Sequence, residues 1–315
     1  SIKAFEFSVE FLPPTHRGEP LLGPREAATM KILLVRHAQS QNNIVQAQVH
    51  TQLANKQINQ KQAQDKWLAN RMDDPGLSDD GLLQIQALEM YAAKVQRKNP
   101  DSKISIYTSP MTRACQTAQA VSKGVPGAPV TLNGDLCEVG GIYKAVRVGD
   151  NFEKQRGNAP SAGQLTSQFQ GFRPGTLNPN GPWDGGRGFE QSGAAVARAE
   201  RVAEWLKHRM PQEVGDNGVV IVVSHADFIA LLIAKLMGVS MSGKGIDMNP
   251  DMDMSSHGIS EGTLDDEIEQ HCSSVYTRFR VSLACTTMIQ VSGNDCKVLW
   301  MNKKKHLQGK NCSVM

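Results

Sequence analysis

Two histidines in this chain stand in the same local setting. His37 follows the apolar run Lys31 to Val35 (KILLV) across Arg36, and His225 follows Val219 to Val223 (VVIVV) across Ser224. Continuous apolar runs of this length suit strands buried on both faces. In an open α/β sheet, ligands bind beyond the carboxyl ends of such strands. The side chains gathered there suit transfer of a phosphoryl group. A phosphate ester repels an anionic nucleophile, whereas a neutral imidazole can approach phosphorus and form a phosphohistidine. His37 is the candidate nucleophile. Guanidinium groups offer paired donors and fixed positive charge to phosphoryl oxygens, which fits Arg36 and Arg113. His225 can donate to an equatorial oxygen, and a helix starting at Ser109 adds a favourable amino-terminal dipole. A leaving alkoxide also needs a proton. A nearby carboxylic acid would supply it and then deprotonate the water that hydrolyses the phosphohistidine.

The elements that must position these residues alternate between strand and helix. After the polar string Arg36 to Asn43, the glutamine-rich stretch 44–72 carries Val45, Val49 and Leu53, then Ala63, Trp67 and Met72, at near-helical spacing. It reads as a helical insertion that leaves directly from the nucleophile loop and walls the pocket. Its richness in uncharged glutamine argues against a highly anionic substrate such as a polyphosphorylated inositol. Ser78 with Asp79 and Asp80 forms a cap and acidic first turn for a helix with Leu82, Ile85, Leu88, Ala92 and Val95 on one face, ended by Asn99-Pro100. Ile104 to Tyr107 reads as a strand, and Ser109-Pro110 as N-cap and first position of a helix through Ser122. Residues 140–188 read as one long loop. Ala195, Ala199, Val202 and Leu206 mark a further helix, and an apolar helix after His225 ends near Gly238. Val275 to Val291 and Val298 to Asn302 read as late strands. This alternation predicts a layered α/β fold with a largely parallel sheet.

Several segments together resemble the histidine phosphatase superfamily, which includes the phosphoglycerate mutase-like phosphatases. Leu34-Val35-Arg36-His37-Ala38-Gln39-Ser40 with Asn43 is similar to its Leu-Val-Arg-His-Gly-Glu-Ser signature, departing at Ala38 and Gln39. Leu77-Ser78 with Gly81 and Gln84 resembles its Leu-Thr, Gly, Gln helix start, and Tyr107 to Ala118 (YTSPMTRACQTA) its second phosphate-pocket segment. Leu136-Cys137-Glu138 resembles the segment carrying the proton donor, Ser224-His225-Ala226 the one carrying the second histidine, and Leu299 to Leu307 the end of the domain. The resemblance implies a three-layer α/β/α sandwich with a mostly parallel central sheet and helical and loop insertions. It also implies a metal-independent phosphatase with no cofactor. His37 would be nucleophile, Glu138 acid then base, and Arg36, Arg113 and His225 would hold the phosphoryl group. Gln39, Ser40, Asn43 and Ala226 fall within the same binding segments, Asn43 lining the pocket and Gln39 and Ser40 lining it or only shaping the turn. Glu153 and Glu190, in or beside the same loop-rich region, are the rivals to Glu138.

The match runs from about Met30 to Leu307. It leaves residues 1–29 as an extension, tag remnant or leader, 30–308 as the domain with unmatched insertions at about 44–72 and 240–270, and 309–315 as a tail. No counterpart of the glycolytic mutases' Gly-Trp-x-Asp segment follows the first motif, which favours a phosphatase over a phosphoglycerate mutase-like phosphotransferase. The two insertions admit a third reading, a non-catalytic protein that binds phosphorylated ligands or partners.

The 315 residues, 40% hydrophobic and 21% charged, suffice for a full-sized core. A net charge of +3 lacks the basic excess of a nucleic-acid binder, and the apolar runs are too short to span a bilayer. Six cysteines without CxxC pairs argue against a disulfide framework or zinc ribbon and point to reduced thiols in the cytoplasm. The partner expected is a phosphorylated small molecule or phosphoprotein; oligomeric state is left open. Gly258 to Gly262 matches GxSxG but lacks a preceding strand, and the Asp247 to Asp253 alternation lacks the calcium-loop glycine. Gly185 to Gly188 reads as a turn, and Lys303 to Lys305 as a solvated charge run.

Overall fold

The computed structural model describes residues 28–239 and 274–308. The GxSxG match, the Asp247 to Asp253 alternation, almost all of the 1–29 extension, the 240–270 insertion and the 309–315 tail lie outside the described residues.

The centre is a seven-stranded sheet. Its strands are β1 (Thr29–Arg36), β2 (Ile104–Thr108), β3 (Val130–Leu132), β6 (Phe172–Arg173), β7 (Val219–Ser224), β8 (Thr286–Ser292) and β9 (Asp295–Lys303). Across the sheet they run β6-β3-β2-β7-β1-β8-β9. The five from β6 to β1 pair in parallel, and β8 and β9 add an antiparallel edge beyond β1. The first strand takes in Thr29, which the sequence reading leaves in the extension.

The two apolar runs flanking the histidines become neighbours, with Val35 opposite Val223 and Arg36 opposite Ser224. Alternate side chains of these strands enter opposite cores. Leu33, Val35, Ile221 and Val223 pack with Leu88, Ala92, Ala114, Ala118 and Val121 of α3 (Asp79–Lys98) and α4 (Thr112–Gly124). Ile32, Leu34, Val220 and Val222 pack with Ala199, Val202, Phe228, Leu231 and Leu232 of α6 (Ser192–Glu204) and α8 (Ala226–Leu236). This is the expected three-layer α/β/α sandwich, in which strands buried on both faces need no polar alternation. Among the described residues no helix is long and apolar enough to cross a membrane.

The glutamine-rich stretch forms two helices, α1 (Gln41–Ala54) and α2 (Gln60–Asn70), the first starting three residues earlier than the spacing suggests. Ser78 caps α3 by accepting from the Gly81 N–H at 3.1 Å.

Three sequence expectations are corrected. Helix α4 begins at Thr112 with Met111 as N-cap, so Ser109-Pro110 does not start it. Its entry is held by Asp74, which accepts from the Thr112 N–H at 3.0 Å and from its hydroxyl at 2.7 Å, a cap supplied by a remote segment. The region 140–188 is not one loop. It holds an exposed hairpin, β4 (Tyr143–Val148) and β5 (Asn151–Arg156), then α5 (Ala162–Gln168) and β6. A two-stranded ribbon exposed for most of its length shows little of the alternation that marks a half-buried strand. Finally, residues 274–278 are helical, with Phe279 donating to the Val275 carbonyl at 2.9 Å, and only Thr286–Ser292 of that run forms a strand.

Candidate active site

The loop that carries His37 leaves β1 at the carboxyl edge of the sheet and is tied down at every residue. The His37 N–H donates to the Ser224 carbonyl at 2.9 Å, and the His37 carbonyl accepts from Ala284 at 3.2 Å. The Ala38 N–H donates to Thr117 Oγ1, whose hydroxyl donates to the Arg113 carbonyl, joining the loop to α4. The Gln39 N–H donates to Gln84 Oε1 and its carbonyl accepts from Ser78, joining it to α3. Gly81 lies so close that a Cβ there would stand 2.1 Å from the Gln39 carbonyl oxygen, which explains why this helix start carries a glycine.

Two contacts fix the tautomer of His37. Its Nδ1 lies 2.7 Å from the Ala38 carbonyl, which can only accept, so Nδ1 carries the hydrogen. Its Nε2 then presents a lone pair, toward which Arg113 Nε–H points at 3.2 Å. Burial, then the charges of Arg113 and Arg36, hold the His37 pKa well below its ordinary value. The imidazole is therefore neutral near pH 7, the form with a lone pair to give.

A cavity of about 230 Å³ opens beside it, lined among others by Arg36, His37, Ser40, Asn43, Arg113, Glu138 and Ala226. Arg36 anchors one Nη on the Val281 carbonyl at 2.7 Å, while its buried Nε has no partner. Arg113 lies 3.8 Å from Asp74. Ser40 directs both its N–H and its hydroxyl to Asn43 Oδ1.

Glu138 receives the Val139 N–H at 2.9 Å and the Phe228 N–H, at the start of α8, at 3.1 Å, both on Oε1. Burial first, then the neighbouring Asp227, push its carboxyl up from 4.5 to about 7, against the lowering pull of Arg113. A carboxyl poised there can both give and take a proton near neutrality. The structure brings neither rival to the cavity. Glu153 is exposed on β5, and Glu190 pairs with Arg198, which donates to it through Nε at 2.8 Å.

Two candidates sit off the cavity wall. Gln39 is buried with its side chain turned to Ser78, whose hydroxyl donates to Gln39 Oε1 at 2.7 Å. It shapes the turn. His225 is fully buried against His37, ring centroids 5.0 Å apart, with Nε2 at 2.8 Å from Ser109 Oγ and Nδ1 unpartnered. Among the described residues no cluster of three His, Cys, Asp or Glu could hold a metal ion.

This geometry and the chain's overall sequence agree. Residues 32–250, well over half of the chain, match the family model of the histidine phosphatase superfamily, branch 1. The chain belongs to that superfamily. Comparison with curated proteins gives no match. Solved structures resembling this histidine phosphatase superfamily member include the Bombix mori ecdysone phosphate phosphatase in complex with tungstate. It is 16% identical, with 87% of this chain and 93% of that one covered and a TM-score of 0.48. Mycobacterial glucosyl-3-phosphoglycerate phosphatase is 17% identical, with 88% and 100% covered and a TM-score of 0.46. A mutant phosphoserine phosphatase from Entamoeba histolytica is 16% identical, with 88% and 99% covered and a TM-score of 0.44. The family match alone carries the assignment.

Several site residues of this superfamily member escape sequence reading. Asp74 and Ser109 reach Thr112 and His225 only through the fold. Asp227, in the first turn of α8, reads simply as an acidic residue complementing the helix dipole. Arg198 had a signal: it shares the buried face of α6 with Ala195, Ala199 and Val202, where an arginine needs partners. It donates to the carbonyls of Asp135 and Cys137 at 2.7 and 2.9 Å and so holds the segment that carries Glu138. The insertion is also not uncharged where it matters. Arg71, just past α2, lines the cavity, which removes the ground for disfavouring anionic substrates.

Proposed function

We propose that the protein is a metal-independent phosphomonoester hydrolase acting through a phosphohistidine on His37. The observation that carries this reading is the locked tautomer of His37, whose lone-pair nitrogen faces Arg113 at the edge of a cavity shared with Arg36 and Glu138. In the first step Arg113 turns its Nε–H from Nε2 to a phosphoryl oxygen, and the freed lone pair attacks phosphorus while the ester P–O bond breaks and the leaving oxygen takes the proton of Glu138. Nδ1–H stays on the Ala38 carbonyl and supports the positive charge that the phosphorylated ring acquires. Arg36, through its unpartnered Nε, and Arg113 meet the phosphoryl oxygens, while His225, off the cavity wall, backs the His37 ring. Burying a polar atom without a partner costs roughly 1–3 kcal/mol, which a bound phosphoryl group would recover. In the second step Glu138, now ionised, takes a proton from water. The water oxygen attacks phosphorus, the N–P bond breaks and inorganic phosphate leaves, restoring the lone pair on Nε2.

The experiment is hydrolysis of phenyl phosphate in excess chelator by wild type, His37→Ala and Glu138→Gln, with trapping of phosphoenzyme by rapid quench. Expected are chelator-resistant turnover, an acid-labile and alkali-stable phosphate on wild type that His37→Ala lacks, and a loss of at least about 10²-fold in Glu138→Gln. Phosphate transfer between positions of phosphoglycerate without net hydrolysis would make the protein a mutase. Binding of phosphate esters with no labelling would make it a non-catalytic binder.

A further inference from the structure

The proposed reaction uses two guanidinium groups, Arg36 and Arg113, on one phosphoryl group. The cavity has a third. Arg71 follows α2 and lies over the Tyr143 ring at 3.7 Å and beside the Trp67 ring at 6.0 Å. Its Nη1 donates to the Tyr143 carbonyl, and its Nε is buried without a partner. Asp73, also on the cavity wall, contributes a favourable charge, yet among the described residues no carboxylate lies within ion-pair distance of Arg71. The side chain is close enough for its charge to act on Arg113. It is thus a half-buried cation, fixed in position by an aromatic face and a backbone carbonyl, with donor capacity unspent and opening onto the same small space as the nucleophile.

We infer that Arg71 binds a second anionic group on the leaving side of the substrate, so that the preferred ester is a compact phosphorylated acid or bisphosphate. This rests on the hydrolase reading above and extends it to substrate class. A cavity of about 230 Å³ sits below the usual range for larger ligands, so the two anionic groups must be only a few atoms apart. A carboxylate and a second phosphate offer the same chemistry to a planar fork of donors, and the test separates them.

Three probes differ only at the distal group: 2-hydroxyethyl phosphate is neutral there, phosphoglycolate carries a carboxylate, and ethane-1,2-diyl bisphosphate a phosphate. For wild type, kcat/KM for at least one charged probe is expected to exceed that of the neutral one by about tenfold or more, carried mainly by KM, and the larger ratio names the group. Arg71→Gln is expected to bring that ratio to near one, and Arg71→Lys, which keeps a cation without the fork, to leave part of it. Equal rates on all three probes in wild type overturn the inference. So does a ratio that survives Arg71→Gln, including a variant whose activity drops equally on all three, because that is the mark of a structural pin between α2 and β4. The same ratios are read as dissociation constants on His37→Ala by calorimetry. That arm needs no turnover, so failure of the hydrolase reading leaves this inference open to refutation on its own terms.

Discussion

Replacing Glu138 by Gln should make the protein more stable as it makes it inactive, and by an amount that grows with pH. In the folded state burial and Asp227 push the carboxyl from 4.5 to about 7. The unfolded chain holds that proton less tightly, so between these values the folded state binds more protons than the unfolded one. Stability therefore falls as pH rises from about 4.5 through about 7, and the loss is complete above that. A difference of this size corresponds to about 3 kcal/mol, and water in the open cavity screens part of it, leaving about 2. Glutamine keeps the carbonyl oxygen that receives the Val139 and Phe228 N–H groups and removes the titration. The melting temperature of Glu138→Gln minus that of wild type, measured in closely spaced buffers from pH 4.5 to 8.5, should rise by about 5 °C. Curves that run parallel over this range would falsify the claim that Glu138 is a carboxyl held protonated by its surroundings, and with it the proton donor of the first step.

Other perturbations give equally direct readings. Gly81→Ala would raise helix propensity by about 1 kcal/mol on an open helix, but here the new Cβ meets the Gln39 carbonyl; the variant should melt lower by roughly 1–3 kcal/mol and lose activity together, as chemical denaturation and phenyl phosphate turnover will show. Asp74→Ala removes the acceptor of Thr112 and the carboxylate facing Arg113, so a loss of about 1–2 kcal/mol in urea unfolding should accompany a raised KM for phosphate esters. Arg198→Met leaves Glu190 and the carbonyls of Asp135 and Cys137 without their partner and should cost about 3–5 kcal/mol, a value that unfolding titrations can check. Cys115, Cys137 and Cys285 are buried with thiols pushed up, the latter two to about 12, so native protein should resist alkylation at all three until denaturant is added.

What the sequence shows plainly is whatever its own neighbours determine. The runs before His37 and His225 are apolar throughout because both faces of β1 and β7 are covered, and the caps at Ser78 and Asn99 act within their own helix ends. His37, Arg36, Arg113 and Glu138 lie in short contiguous segments and can be read there. Residues acting across the fold cannot. Asp74 caps a helix 38 positions away, and Ser109, legible only as a helix cap, meets a histidine 116 positions on. Arg71 hides among glutamines, since nothing in the stretch 44–72 says which of its side chains turns toward the cavity. The hairpin β4–β5 escapes because its residues alternate too weakly to reveal a strand.

The antiparallel edge of the sheet has a bearing on how the protein is made. Arg36 reaches the Val281 carbonyl across 245 positions, and the backbone of Arg36 and His37 is held by Cys285 and Ala284. A ribosome delivers Arg36 245 positions before Val281. Until those residues have emerged, a nascent chain carries His37 on a strand that lacks one flank and a loop that lacks two of its ties. On the hydrolase reading proposed above, a premature stop before residue 281 should yield an inert product even if the rest of the sheet assembles.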